Sequence, residues 1–386
     1  MISKLPWKIL EYTSKATNEK VKVTSRMLSL RYTLVNGQAF IWHPLVNEEE
    51  KLNDIMSQKP NEIYHGILKK YYLQFTTDDN GYVNYRAIPD DENLNTLLHD
   101  YFQFDYDYEE LIKEWVKCDK QFQEVVQTFR GLRILRQDPF ECLIQFICSQ
   151  NNNIARITKL ITAICEKYGE FILEDNGKKY YSFPSLAHLK KVNEKTLRDM
   201  GFGYRAKYIT ECVKMIEEKG GEEWLQSLRG KEYKVIMKEL TSLMGIGKKV
   251  ADCIALFSLD CKNAIPVDTH VYQIYFKKYK KGESKALTDK LYYEISGFFQ
   301  DKFGEYAGWA HSYLFTADLA KFKGEKGTEK VIEKVLEESD GEGSGNRKRK
   351  TYDSKEDKIE KDKKVKKTTE KKASDKKKNV EKKNKK

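Results

Sequence analysis

The chain has 386 residues, 40% hydrophobic and 12% aromatic, which is enough for two domains with a substantial core. Its formal net charge of +11 lies at the C-terminal end, where residues 341–386 hold 20 Lys and Arg against 9 Asp and Glu. Residues 1–340 are therefore formally neutral, which excludes a folded body that attracts polyanions by a global positive field.

The first third of the chain is predicted to form an antiparallel sheet followed by helices. Segments 27–34, 71–75 and 82–85 are short and β-prone, and turn sequences separate them. Residues 92–130 then change to apolar residues at helical spacing. We therefore predict an N-terminal sheet domain with helices over residues 1–130.

Residues 131–325 are predicted to be helical throughout. An Asn-rich stretch at 149–153 interrupts the apolar pattern, as caps and turns do. Residues 306–319 predict one apolar helix with His311 and Phe315 four residues apart, hence on one face.

Two lysines stand at an unusual place in this helical half. Gly245 and Gly247 end one helix, and the next is predicted from Lys248 to about residue 259. Cations are disfavoured at a helix N-terminus. Either an anion such as phosphate lies on the hairpin, or one lysine acts as an uncharged amine, or the exposed side chains tolerate a cost of a few tenths of a kcal/mol.

Asp268 follows about twenty residues later and precedes an apolar run. Its carboxylate is suited to cap the next helix, which by itself explains the residue. An amine candidate followed by a carboxylate also suits covalent chemistry with acid and base assistance.

These two elements resemble a known signature. Leu-x-Gly-Ile-Gly-x-Lys-x-Ala-Asp at 243–252 and Ile-Pro-Val-Asp-Thr-His at 265–270 are similar to the helix-hairpin-helix and Gly/Pro-Asp motifs of the base-excision DNA glycosylase superfamily. Within it the chain most resembles eukaryotic 8-oxoguanine DNA glycosylases. Further motifs that carry this resemblance run in order at 36–42, 136–144, 147–157, 201–206 and 306–310.

The resemblance implies an α+β fold, with a TATA-binding-protein-like antiparallel sheet domain packed on a helix-hairpin-helix glycosylase domain. It implies a bifunctional enzyme that removes 8-oxoguanine paired with cytosine. Lys249 would attack the sugar C1′ and form a Schiff base, and β-elimination would nick the strand. Asp268 would stabilise the positive sugar. The helix N-terminus, Lys248 and desolvation would favour the uncharged amine.

The resemblance also assigns binding residues. From the residues alone, Gly37 is expected to be a turn glycine. The resemblance implies instead that its carbonyl accepts the N7–H of 8-oxoguanine. His311 stands where animal enzymes have glutamine, so a broader base preference and a pH dependence near neutrality are expected. The implied base-binding residues are Gly37, Cys253, His311 and Phe315, and the implied DNA-binding residues are Asn151, Arg156, Tyr204, Arg205, Gly245, Gly247, Val250 and His270.

The expected partner is double-stranded DNA containing oxidised guanine, bound by a monomer. Seven scattered cysteines indicate a reducing compartment, and no four-cysteine run follows Cys261, so we expect no iron-sulfur cluster, other cofactor or metal. No apolar run reaches the roughly eighteen residues of a membrane span. Basic runs at 347–350 and 363–367 are compatible with nuclear import, within a lysine-rich tail over 338–386 that is predicted to be disordered.

Two other functions remain open at this point. A monofunctional glycosylase would use water and release the base without nicking the strand, but it leaves Lys249 without a role. A non-catalytic helix-hairpin-helix DNA-binding protein would explain the hairpin, but not Asp268 or the Asn, Arg and Tyr candidates.

Overall fold

The computed structural model describes residues 2–15, 17–45, 62–120, 122–280, 286–319 and 322. The predicted disordered tail at 338–386 lies outside the described residues. Within the described ranges, no helix has the length and apolar character needed to cross a membrane.

The N-terminal part contains the expected antiparallel sheet. Five strands pair in the order β1-β7-β6-β5-β4, every neighbouring pair being antiparallel, while β2 and β3 form a separate hairpin. The strands are β1 Lys8–Ile9, β2 Glu11–Thr13, β3 Lys20–Lys22, β4 His43–Pro44, β5 Tyr64–Leu68, β6 Tyr71–Thr77 and β7 Val83–Ile88.

The prediction of β structure over 27–34 was wrong, because helix α1 spans Leu30–Leu34. The Ser29 side chain caps this helix by accepting from the Tyr32 N–H at 3.4 Å. Leu30 and Leu34, four residues apart, are both buried on one face, so tertiary packing overrides the local β propensity.

Helices dominate the rest of the described chain, as expected. They are α2 Asn93–Tyr101, α3 Tyr108–Cys118, α4 Phe122–Thr128, α5 Pro139–Ser149, α6 Ile154–Tyr168, α7 Leu186–Leu189, α8 Glu194–Asp199, α9 Arg205–Glu218, α10 Gly221–Ser227, α11 Tyr233–Thr241, α12 Lys248–Ser258, α13 Thr269–Ile274, α14 Asp289–Phe303 and α15 Ala307–Asp318. Short 3-10 turns lie at Ile2–Lys4 and Gly304–Tyr306, and a π-helical turn at Tyr275–Lys280 continues α13.

The prediction that the chain is helical throughout from residue 131 onward was nevertheless wrong at one place. Strands β8 Phe171–Asp175 and β9 Lys178–Tyr181 form a hairpin. Its two turn residues, Asn176 and Gly177, have φ values of +51° and +76°, the left-handed pair that a tight hairpin requires.

One continuous hydrophobic core includes residues of both the sheet and the helices. The division at residue 130 therefore stays a prediction, since the core passes through it. Helix α15 is among the most buried elements. At Gly308 its backbone touches the loop between α12 and α13. The Gly308 N–H donates to the Lys262 carbonyl at 2.9 Å, and an added Cβ would lie 2.4 Å from the Ala264 carbonyl oxygen. This contact fixes α15, which carries His311 and Phe315.

Candidate active site

The glycine hairpin directs α12 into the middle of the molecule. Gly245 has a φ of +82°, and a Cβ there would lie 2.5 Å from Tyr208 Cγ on α9, so only glycine fits against this ring. Helix α12 begins at Lys248 after Gly247 and ends at Ser258, which confirms the predicted helix to within one residue.

The two lysines at the start of α12 have different surroundings. Lys248 pairs with Asp289 of α14 and lies 5.1 Å from the Tyr293 ring centroid. The hydrogen bond that Lys248 donates to the Asp289 carboxylate raises the pKa of Lys248. Lys249 instead lines a pocket, with its Nζ 5.5 Å from the Phe146 ring centroid. That Lys248 helps to favour an uncharged Lys249 stays a prediction.

Asp268 lines the same pocket as Lys249. It is the N-cap of α13, and its Oδ1 accepts from the Val271 N–H at 3.0 Å, which confirms the predicted cap. This bond orients the carboxylate without removing it from the pocket. The pocket is lined by Asn36, Gly37, Gln38, Phe146, Lys249, Cys253, Leu256, Phe257, Pro266, Asp268, His311, Ser312 and Phe315.

All four base-binding candidates therefore lie in one pocket with the two catalytic candidates. Cys253 is one turn after Lys249 on α12, and burial raises the pKa of its thiol to about 11, so the thiol is neutral at pH 7. Phe315 packs edge-on against the His270 ring at a centroid distance of 5.6 Å. The walls thus combine flat, uncharged surfaces with one amine and one carboxylate.

His311 is buried, and neither ring nitrogen has a hydrogen-bond partner among the described residues. Burial lowers the pKa of His311 to about 4, although nearby Asp268 opposes this shift. The expected pH dependence near neutrality is thus wrong for this side chain, which is neutral at pH 7. A neutral imidazole offers one N–H and one lone pair to a ligand.

Gly37 reaches the pocket from the N-terminal part, between α1 and β4. Its φ is +97°, a conformation that glycine adopts most readily. The preceding Asn36 donates from Nδ2 to Thr316 Oγ1 on α15 at 3.3 Å, which ties the loop to the opposite pocket wall. An added Cβ at Gly37 would lie 3.0 Å from Ile154 Cδ1.

The buried Gln38 holds this loop in place. Its Nε2 donates to the carbonyls of Thr33 at 2.8 Å and Arg133 at 2.9 Å, and its Oε1 accepts from the Leu135 N–H at 2.9 Å. Its own carbonyl accepts from Gln137 Nε2 at 2.6 Å. A buried carboxamide with both ends bonded makes the position of Gly37 rigid.

The second group of candidates surrounds the turn after α5. Asn151 has a φ of +46°. The buried guanidinium of Arg205 donates to the carbonyls of Gln150 and, at 3.0 Å, Asn151. Tyr204 is 42% exposed and its hydroxyl donates to the Gln150 carbonyl at 3.1 Å. The Arg156 side chain is exposed and donates to the Gly201 carbonyl at 3.4 Å.

The phosphate-binding candidates lie at or near the N-terminus of α12. A Cβ at Gly247 would meet no atom within 4 Å, so packing does not require glycine there. Val250 is buried, which leaves its backbone N–H as the group that could face an anion. His270 Nδ1 lies 2.6 Å from Asp318 Oδ2 on α15. Gly245, Gly247, Val250 and His270 thus flank the hairpin and the first turns of α12 and α13.

Sequence reasoning missed several pocket residues, among them Phe146, Gln38 and Ser312, and it missed Gln150 outside the pocket. Phe146 reads as an ordinary core residue of α5, and nothing in its surroundings marks it. Gln38 and Ser312 line the pocket although no motif assigned them a role. Gln150 connects several candidate segments, and its place in the Asn-rich interruption was the available signal.

Comparison with known proteins agrees with this architecture. Residues 20–143 match the family described as 8-oxoguanine DNA glycosylase, N-terminal domain, and residues 144–294 match the HhH-GPD superfamily base excision DNA repair protein. An N-glycosylase/DNA lyase of Arabidopsis thaliana is 40% identical over 78% of this chain and 80% of its own length. That of Saccharomyces cerevisiae is 33% identical over 79% and 87%.

A solved structure is similar as well. It is the 8-oxoguanine glycosylase/lyase of Clostridium acetobutylicum in complex with double-stranded DNA containing cytosine opposite 8-oxoguanine. Its TM-score is 0.64 at 32% identity, over 80% of this chain and 96% of that one. With two consecutive family matches and curated relatives covered over most of their length, the chain belongs to the 8-oxoguanine DNA glycosylase family of helix-hairpin-helix base-excision repair proteins.

Proposed function

We propose that this protein excises 8-oxoguanine from DNA with Lys249 as nucleophile and then cleaves the strand. The chain is a bifunctional DNA glycosylase and lyase of base-excision repair, the activity that its curated relatives carry in their names. The observation behind the residue assignment is that Lys249 and Asp268 line one pocket whose other walls are uncharged. The proposed substrate is 8-oxoguanine opposite cytosine, as in the DNA complex of the bacterial relative.

The first step breaks the bond between the sugar and the base. The uncharged Lys249 amine forms a bond to C1′ while the C1′–N9 electron pair leaves with the base, which takes up a proton. Positive charge develops on the sugar, and the Asp268 carboxylate stabilises it. The bond between Asp268 and the Val271 N–H keeps that carboxylate oriented before substrate arrives.

The second step cuts the strand. Loss of a proton from nitrogen and opening of the sugar ring give a Schiff base between Lys249 and C1′. Removal of a C2′ proton then expels the 3′ phosphate oxygen, and hydrolysis of the imine releases Lys249. Asp268 is the carboxylate in the pocket that can move a proton in these steps.

The walls of the pocket discriminate the base. The Gly37 carbonyl would accept the N7–H of 8-oxoguanine, whereas N7 of guanine is an acceptor and would face that carbonyl without a bond. Cys253 and Phe315 would hold the ring between them, because a neutral thiol and an aromatic face suit a planar base. His311 would present one ring nitrogen to the Watson–Crick edge.

Extrusion of a nucleotide costs a few kcal/mol of stacking and pairing. Asn151 would fill the vacated space, Tyr204 would wedge into the stack, and Arg156 and Arg205 would contact the unpaired cytosine. The backbone N–H groups near Gly245, Gly247 and Val250, together with His270, would hold phosphates.

We expect Arg156→Ala to relax the preference for cytosine more than it slows turnover. The Arg156 side chain is exposed, so its loss removes a base contact of about 1–3 kcal/mol without disturbing the core. Excision rates opposite cytosine and opposite adenine are compared in single-turnover assays. Equal loss on both duplexes would argue against this role.

Arg205 differs from Arg156 because its buried guanidinium bonds the Gln150 and Asn151 carbonyls. In Arg205→Ala the Asn151 carbonyl loses this donor and the Gln150 carbonyl keeps the Tyr204 hydroxyl, so the turn is less well held and turnover and preference should fall together.

One incubation of wild-type protein with a duplex containing 8-oxoguanine opposite cytosine tests the proposed activity. A bifunctional enzyme releases the base, nicks the strand and yields a covalent adduct with borohydride. Base release without nicking or adduct would show a water-using glycosylase. Binding without base release would leave only a DNA-binding protein.

Two further parts of the proposal concern the cellular compartment and the oligomeric state. We infer a nuclear protein that acts as a monomer. The basic runs at 347–350 and 363–367 support nuclear import, and they lie outside the described residues.

A further inference from the structure

Gln150 joins three segments that the proposed function places against DNA. It follows the last residue of α5 and precedes Asn151. Its Nε2 donates to the Gly245 carbonyl in the hairpin at 2.8 Å. Its backbone carbonyl accepts from the Tyr204 hydroxyl and from Arg205 Nε, each at 3.1 Å.

A second set of contacts closes this arrangement into a ring. The Tyr204 and Tyr208 rings pack edge to face with centroids 5.5 Å apart. Tyr208 in turn lies directly against Gly245, where an added Cβ would approach its ring carbons to 2.5–2.7 Å. The hairpin, the start of α9 and the turn after α5 are therefore connected by packing on one side and by Gln150 on the other.

We propose that Gln150 is a positioning residue that sets the Asn151 turn at a fixed distance from the phosphate-binding hairpin. This inference rests on the proposed function, because it concerns how extrusion is stabilised. When the hairpin holds a phosphate, the hydrogen bond from Gln150 to the Gly245 carbonyl places Asn151 level with the space that the extruded base leaves in the duplex. Preorganisation of this kind reduces the ordering cost that binding would otherwise carry.

The Gln150 carboxamide is not needed for the core. The residue is only half-buried, and its partner is a carbonyl in a surface hairpin. A single bond of this kind contributes little to the stability of a whole domain, so the fold should survive its loss.

The test is Gln150→Met, which keeps the length of the side chain and removes its donor. In single-turnover assays we expect excision from a duplex with 8-oxoguanine opposite cytosine to slow about five- to tenfold, the factor that one such bond supplies. Cleavage of a preformed abasic site in single-stranded DNA should keep the wild-type rate, because no base is extruded there. Emission of 2-aminopurine beside the lesion, which reports unstacking independently of chemistry, should rise less than with wild type.

The matched control is Gln300→Met, which removes a similar bond, from Nε2 to the Asn263 carbonyl at 3.0 Å, outside these segments. It should behave as wild type in all three measurements. Wild-type excision and 2-aminopurine emission by Gln150→Met would overturn the proposal. A parallel fall of excision and abasic-site cleavage would also overturn it, because that is the result of a structural defect. Absence of excision by the wild type would refute the proposed function instead, and the emission comparison would still decide the role of Gln150.

Discussion

Replacing Lys249 by glutamine should abolish the adduct that borohydride traps between this protein and DNA containing 8-oxoguanine. An amide nitrogen cannot attack C1′ or form an imine, so excision should fall by at least about 10³-fold, given what removal of a covalent nucleophile costs elsewhere. Glutamine still fits beside Phe146, so DNA binding should remain. Gel analysis of trapped complexes and a binding assay measure the two effects separately.

The neighbouring lysine supplies the control for this experiment. Lys248 pairs with Asp289 and is absent from the residues lining the pocket, so Lys248→Gln should still be trapped. An adduct that persists in Lys249→Gln and disappears in Lys248→Gln would assign the nucleophile to the other lysine. Loss in both variants would indicate a general defect at the start of α12.

Gly37→Ala should slow excision of 8-oxoguanine by about 10²-fold, the cost of misplacing a reacting group by about 1 Å. The new Cβ would meet Ile154 Cδ1 at 3.0 Å and would disfavour the φ of +97°, so the carbonyl that reads N7–H must shift. Strand cleavage at a preformed abasic site should be retained, because no base has to be recognised. Both activities can be measured in single-turnover assays.

Substitution of a glycine in an open turn is the control that separates loss of the base contact from the cost of backbone strain. Gly177 has a φ of +76° with no atom within 4 Å of an added Cβ, so Gly177→Ala carries a comparable left-handed cost of about 1–2 kcal/mol without touching the pocket. The two variants should lose similar thermal stability and differ in excision. Equal excision rates would remove Gly37 from the proposed base contact.

The positions of Lys249 and Asp268 were predictable because local rules place both residues. The two glycines determine where α12 begins, and the Asp268 cap determines where α13 begins, so Lys249 and Asp268 each occupy a defined helix end. Asp252 shows the limit of this reasoning. It belongs to the same motif, yet its carboxylate is buried away from the pocket and accepts from the Tyr233 and Tyr292 hydroxyls.

Other features depend on contacts between distant segments. Three of the four bonds that hold Gln38 involve residues about one hundred positions away, and no local pattern encodes them. Helix α1 forms where propensity favours a strand, because burial of Leu30 and Leu34 decides the outcome. The β8–β9 hairpin is a different case, since Asn176-Gly177 is a strong turn signal that the surrounding helical pattern obscured.

The main-chain contact at Gly308 limits how this protein could acquire new substrates. At Gly308 no side chain separates α15 from the carbonyls of Lys262 and Ala264. Any larger residue there would collide with these backbone atoms, so the distance between α15 and this loop cannot be tuned by a substitution at position 308. The distance between α12 and α15 is thus fixed by backbone contact. Directed evolution toward a differently shaped damaged base would have to work through exchanges at positions such as 253, 311 and 315, within walls whose separation is already determined.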